Sequence, residues 1–264
     1  MEKNETHVKS VERALQVLTA LSEENKDVSL TEISNKLGWP KSTAHGILST
    51  LREYRFVDQS AETGRYRLGV RLFELGHKVG RNWDIRETAL PVLQSLNGKF
   101  GEMVQLATED AGEVLYIEKI DSTQIIRIVS DIGKRLPMYC TGLGKVLLAY
   151  QTPAEVKRIL SKSGMPGMTR RTITGLLEMT AELAKIRRQG YAVDDQEIME
   201  GLRCVAAPIR DVDGAVRYAV SVSGLAERLT GEYFERVRDA VVVSAAEISR
   251  LMGYKERNES LMKE

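Results

Sequence analysis

Residues able to take part in chemistry are few, and they are unevenly placed. Histidine occurs only at positions 7, 45 and 77, so the C-terminal two thirds of the chain offers no imidazole to activate a nucleophile. Cys140 and Cys204 match neither a metal-ligand spacing nor a disulfide framework, and they read as free thiols of a reducing cytoplasm. Glu197 and Glu200 near Cys204 suggest a general acid/base pair. Without a histidine partner in that part of the chain catalysis is rejected as the leading reading, and we expect no catalytic residues, no metal and no cofactor.

What remains is binding chemistry. Thr141-Gly142-Leu143-Gly144-Lys145 is not a phosphate loop: the first glycine is missing and Val146 follows the lysine. Two readings stay open. Glycines at a helix start expose N–H donors where the positive helix end attracts a carboxylate. Alternatively, they form a turn that permits close packing, which the motif alone favours. Ser221 and Ser223 lie two apart in AVSVSG, so their hydroxyls share one face and Val220 and Val222 take the other. They line a polar pocket or a solvent-facing sheet surface. Asp194 follows one strand pattern and Cys204 starts another.

A second group lies in the N-terminal part. Between positions 36 and 71, seven Lys and Arg face three Asp and Glu, although the whole chain of 264 residues is nearly neutral at +1. Such a local basic excess is the footprint of a nucleic-acid surface. Lys41, Ser42, Thr43, His45, Ser49 and Arg52 share the polar side of one helical pattern, and Ala44, Ile47, Leu48 and Leu51 form its inner side. Arg65 and Arg67 fall on one side of a strand, within reach of phosphate or the minor groove.

The elements that position these residues follow in order. Ser10 to Leu21 reads as a helix with Val11, Ala14, Leu15, Leu18 and Leu21 on one face, part of which a second copy could share. Ser29 caps a short helix carrying Leu30, Ile33 and Leu37; Gly38-Trp39-Pro40 breaks it; Lys41 opens the next. This pair fits a helix-turn-helix whose second helix enters the major groove, or a solvated helical hairpin. A hairpin from Phe56 to Leu68 makes a wing, and Gly69 to Arg81 is a linker helix.

Beyond residue 81 strands come in runs. We expect strands at 102–108, 113–120, 124–130, 191–193, 204–210 and 216–223, with helices at 86–100, 142–150, after 152, at 175–189 and at 231–252. That order indicates an α+β domain on a mainly antiparallel sheet. The expected division is 1–80 for the winged helix-turn-helix and the start of the linker helix, and 81–264 for the second domain. The N-terminus lacks an apolar signal core, and no apolar run approaches the ~20 residues that span a bilayer.

The blocks SVERALQVLTALSE, LTEISNKLGWPKSTAHGILSTL, YRLGVRLFELG, LPMYCTGLGKVLLA, RRQGYAVDDQE, GLRCVAAPI and AVSVSG, in this order, make the chain resemble the IclR family of bacterial transcription regulators. The resemblance implies a winged helix-turn-helix, a linker helix and a GAF-like effector domain. It also implies dimers or dimers of dimers on palindromic operators, with a small metabolite altering operator binding. The run from Ile128 to Tyr150 looks most like repressors that respond to 2-keto-3-deoxygluconate. The positions matched to binding of a small 2-oxo acid are Gly142, Leu143, Asp194, Cys204, Ser221 and Ser223, with Met138, Tyr139 and Leu143 shaping the wall. One departure is Gly46, where many relatives carry arginine. The expected function is therefore a cytoplasmic, ligand-responsive repressor. The alternatives are an enzyme of small organic acids whose N-terminal domain binds protein, and a sensor that binds protein rather than DNA.

Overall fold

The computed structural model describes residues 8–24, 26–81, 84–125 and 131–255. It divides into two compact units, residues 1–83 and 84–264. None of the described helices is long and apolar enough to cross a membrane.

In the first unit, α1 (Lys9–Ser22), α2 (Leu30–Leu37) and α3 (Lys41–Glu53) precede β1 (Val57–Gln59), β2 (Tyr66–Leu68) and α4 (Val70–Arg81). Ser29 starts α2 with a full capping box: its hydroxyl accepts the Glu32 amide, and Glu32 accepts the Ser29 amide at 2.8 Å. Gly38 ends α2 in the left-handed region at φ 68°, a conformation glycine adopts without a Cβ penalty. The Ser34 hydroxyl then ties the turn by donating to Trp39 O at 2.5 Å. Val17, Leu21, Ile33, Leu48, Leu51, Val57 and Tyr66 form the core. Tyr66 also exchanges two backbone hydrogen bonds with Val28, which fastens the wing to the loop before α2. The inward face of α1 is Val17, Ala20 and Leu21. Val11 and Leu15, expected on that face, are exposed together with Val8.

The second unit comprises α5 (Asp84–Phe100), β3 (Met103–Asp110), β4 (Glu113–Ile120), β5 (Arg135–Pro137), α6 (Gly142–Ala149), α7 (Pro153–Ser163), α8 (Leu176–Gln189), β6 (Ala192–Asp195), β7 (Leu202–Arg210), β8 (Val216–Leu225) and α9 (Gly231–Leu251). The strands form one sheet in the order β5-β4-β3-β8-β7-β6, and every pair is antiparallel. The α+β reading therefore holds. Most of the expected strand at 124–130 lies outside the described residues, and Gln124 and Ile125 form a bend. The short β5, whose three residues gave no alternating signal, was not expected.

Every residue of α6 is buried. The helix lies on β3, β7 and β8 beside α8, while α5 and α9 pack together on the sheet's other face. This arrangement puts the start of α6 against the middle of the sheet.

Candidate functional site

Two groups of chemistry-bearing residues are assembled, one in each unit. In the first, α3 buries Ala44, Leu48 and Leu51 and turns Lys41, Ser42, His45, Gly46 and Arg52 outward, with Thr43 and Ser49 half-buried. A Cβ on Gly46 would meet nothing within 4 Å, so space does not require glycine there. The outer helix surface therefore carries the polar set expected from the sequence.

The basic residues are less free than their count suggests. Lys36 is drawn to Glu24 at 2.7 Å and Glu23 at 3.1 Å, and these partners raise its pKa. Arg52 bonds Gln59 of the wing. Arg65 donates to Asp27 O at 3.0 Å and lies 3.2 Å from Glu32, and Arg67 lies 3.6 Å from Asp27. The hydrogen bonds from Ser29, with Arg65 nearby, hold the Glu32 carboxyl below its ordinary value. Arg65 and Arg67 stay partly exposed while they brace the wing against the start of α2, a role the sequence did not announce.

In the second unit a cavity of about 100 Å³ opens between the start of α6 and the sheet. Gly142, Leu143, Asp194, Cys204, Ser221 and Ser223, which lie far apart in sequence, all line it. Met138 does not. It is 1% exposed within the core cluster, and its backbone lies against Gly144, where a Cβ would come within 2.3 Å of Met138 O. The expectation that Met138 shapes the pocket is corrected for that reason: Gly144 draws the Met138 backbone against α6, and the side chain joins the packing. Tyr139 is also in the core, with its hydroxyl donating to Pro166 O at 2.6 Å.

The two glycines of the pair differ in their surroundings. Gly144 permits close backbone packing. Gly142 faces the cavity, and its hypothetical Cβ would have only ordinary contacts, the nearest at 3.5 Å to Ala206. Thr141 caps α6, its hydroxyl accepting the Gly144 amide at 3.2 Å. The Gly142 and Leu143 N–H groups belong to the first turn, where the helix supplies no acceptor.

The polar walls come from the sheet. Ser223 donates to Gln105 Oε1 at 2.9 Å and Ser221 is 3.5 Å from the same oxygen, across the β3–β8 pairing. Gln105 was missed because a lone glutamine in a strand carries no signal until its neighbours are known. Asp194 pairs with Cys204 in register on β6 and β7 and is 1% exposed. Its Oδ1 accepts the Glu197 amide at 2.7 Å, and its Oδ2 has no partner among the described residues. Burial pushes its carboxyl up to about 7.

Beneath it, Lys145 bonds Glu197 and donates to Val193 O at 2.6 Å, tying α6 to the turn after β6. Burial raises the Glu197 carboxyl against the pull of Lys145. Glu197 is thus held in a buried ion pair with Lys145. Burial also pushes the Cys204 thiol well above its usual value and that of Cys140 to about 12, so both stay as poorly nucleophilic thiols at neutral pH.

Comparison with known proteins covers both units. Residues 10–61 match the IclR helix-turn-helix domain, and residues 77–250 match the bacterial transcriptional regulator IclR C-terminal family. The chain is 37% identical to the HTH-type transcriptional regulator XynR of Escherichia coli over 94% of this chain and 98% of the relative. It is 36% identical to the HTH-type transcriptional regulator KdgR of the same organism over 96% of each. Among solved structures, an IclR homologue of Microbacterium hydrocarbonoxydans complexed with 4-hydroxybenzoate superposes with a TM-score of 0.83 at 25% identity, over 92% of this chain and 98% of that one.

Proposed function

This chain belongs to the IclR family of bacterial transcriptional regulators, and from that premise we propose that it is a cytoplasmic repressor whose operator binding is set by a small organic acid. The observation that carries the reading is the division of α3. Its inner face is locked into the three-helix core while Lys41, Ser42, His45 and Arg52 stand outward. A helix held in this way can present side chains to base edges and phosphates in the major groove. Thr43 and Ser49 flank the reading face, and Arg65 and Arg67 on the wing reach the backbone.

Residues 1–80 serve as the DNA-binding domain and 81–264 as the effector-binding domain. The operator is a pseudo-palindrome read by two copies of the chain. Exposed Val8, at the N-cap of α1, with Val11 and Leu15 on the successive turns of α1, are the apolar surface a second copy would cover. The assembly is a homodimer or a homotetramer built from two such dimers.

The effector sits with a carboxylate on the Gly142 and Leu143 amides, where the helix end favours an anion. Asp194, Cys204, Ser221 and Ser223 surround the rest of it. A sugar-derived 2-oxo acid suits the resemblance to repressors of that class, and the bound 4-hydroxybenzoate of the Microbacterium homologue supports an organic acid in general. The effector acts as a ligand and leaves unchanged: the lining offers hydrogen-bonding groups, and its one thiol, Cys204, is kept neutral and poorly nucleophilic by burial. A thermal-shift screen of sugar acids, short 2-oxo acids and aromatic acids tests this. Each hit should also change the affinity for DNA from upstream of the chain's own gene. Stabilising acids that never alter DNA binding would refute it.

A further inference from the structure

Asp194 presents a chemical conflict. Its Oδ2 is buried and unpartnered, and the residue lines the same small cavity as the first turn of α6. The helix end attracts an anion, whereas an ionised Asp194 would repel one. Lys145 and the backbone amides of Glu197 and Ile198 offset that charge only in part, and burial outweighs them. Lys145 of α6 is taken up by Glu197 and Val193 O, with Glu182 of α8 a further 3.9 Å from its ammonium. Tyr116 of β4, Cys204 of β7 and Cys140 before α6 are all kept neutral by burial, and Ser223 of β8 is uncharged. Lys134 belongs to the lining, but its residue is exposed to solvent. Two anions in about 100 Å³ at low dielectric repel strongly.

We propose that Asp194 serves the site as a neutral carboxylic acid, donating Oδ2–H to the bound carboxylate, so that each acid anion enters together with one proton. The inference rests on reading the cavity as a site for small acids. The proton comes from solvent and stays on Asp194; no bond of the ligand breaks. The charge of the occupied site is then set by the ligand alone. The site selects ligands whose acceptor oxygen can face Asp194, and it rejects cations, which would need Asp194 ionised. The raised carboxyl, near 7, agrees with this: the free protein already holds part of the proton at neutral pH. Like charge from Glu197 contributes to that value.

The test has two parts on the full chain. Infrared difference spectra between the unsubstituted protein and Asp194→Asn should show a protonated carboxyl band at pH 5.5 that is lost by pH 8.5. An ionised Asp194 at both pH values overturns the proposal whether or not any acid binds. Calorimetric titration with pyruvate and with 4-hydroxybenzoate, in buffers of different ionisation heat, then counts protons. The affinity should fall roughly eightfold between pH 7.5 and 8.5, with uptake near one proton at the higher pH and near none at pH 5.5. Asp194→Asn keeps an N–H donor and should bind with little pH dependence. Glu197→Gln should move the midpoint to lower pH, which a merely structural Asp194 would not show. An unchanged slope in Asp194→Asn overturns the proposal. If neither acid binds while the infrared band is present, the small-acid reading of the cavity falls, and proton-linked binding with it, while the neutral Asp194 stands.

Discussion

The Arg65 guanidinium lies 3.2 Å from the Glu32 carboxylate, and Glu32 is the residue that closes the capping box at the start of α2. One carboxylate thus anchors both the helix-turn-helix and its wing. Arg65→Ala should cost under about 1 kcal/mol of stability, because the pair is partly exposed. It should weaken DNA binding more visibly and lower the salt slope by about one. Ser29→Ala removes the cap and should cost about 1 kcal/mol. Chemical denaturation and salt-dependent anisotropy separate the two effects.

Gly46 sits exposed in the interior of α3 with open space where a Cβ would be. Gly46→Ala should therefore stabilise the first unit by about 0.5–1 kcal/mol, since glycine in a helix costs about that much relative to alanine. Gly46→Arg adds a cation to the reading face and should tighten binding to non-operator DNA at low salt. A destabilised Gly46→Ala would show that the helix tolerates no side chain there.

Gly142 and Gly144 are two residues apart and should respond oppositely. Gly144→Ala forces a Cβ to within 2.3 Å of Met138 O and should lower stability by about 1–3 kcal/mol or more. Gly142→Ala meets nothing closer than 3.5 Å, so the fold should survive. Its methyl group would occupy the cavity and weaken binding of small acids. Melting curves with and without ligand distinguish the pair.

Asp194 makes stability depend on pH in a specific sense. Its carboxyl is raised from the ordinary 3.8 to about 7, so between these values the folded state holds a proton that the unfolded state has lost. Stability from this residue is therefore full below pH 4 and declines as pH rises through 7, by on the order of 4 kcal/mol. Asp194→Asn should remove that decline and melt higher than the unsubstituted chain at pH 8. Parallel pH profiles for the two proteins would contradict the burial argument.

How much of this was legible depended on how local the signal was. Ser29, Gly38 and the start of α7 after residue 152 were readable because caps and breakers act within one turn. Ser221 and Ser223 shared a face as the two-residue period requires, but Gln105 became their partner only through the β3–β8 register. Met138 went the other way: an apolar residue near a glycine pair looks the same whether it lines a pocket or packs behind it. Val11 and Leu15 fitted a helical apolar face, yet the inward side of α1 was set by Val17, Ala20 and Leu21. The pairing of Lys36, Arg65 and Arg67 with acids was hidden because those acids are close in space rather than in the helical period.

The most direct measurement is a fluorescence anisotropy titration of the full chain on DNA from upstream of its own gene, with and without the acid that most raises its melting temperature. The account predicts specific binding tighter than about 10⁻⁸ M, steeply weakened by salt, reduced by His45→Ala with Arg52→Ala, and shifted at least fivefold by the acid. Binding that is insensitive to salt and to those substitutions, or the same with and without the acid, would contradict it.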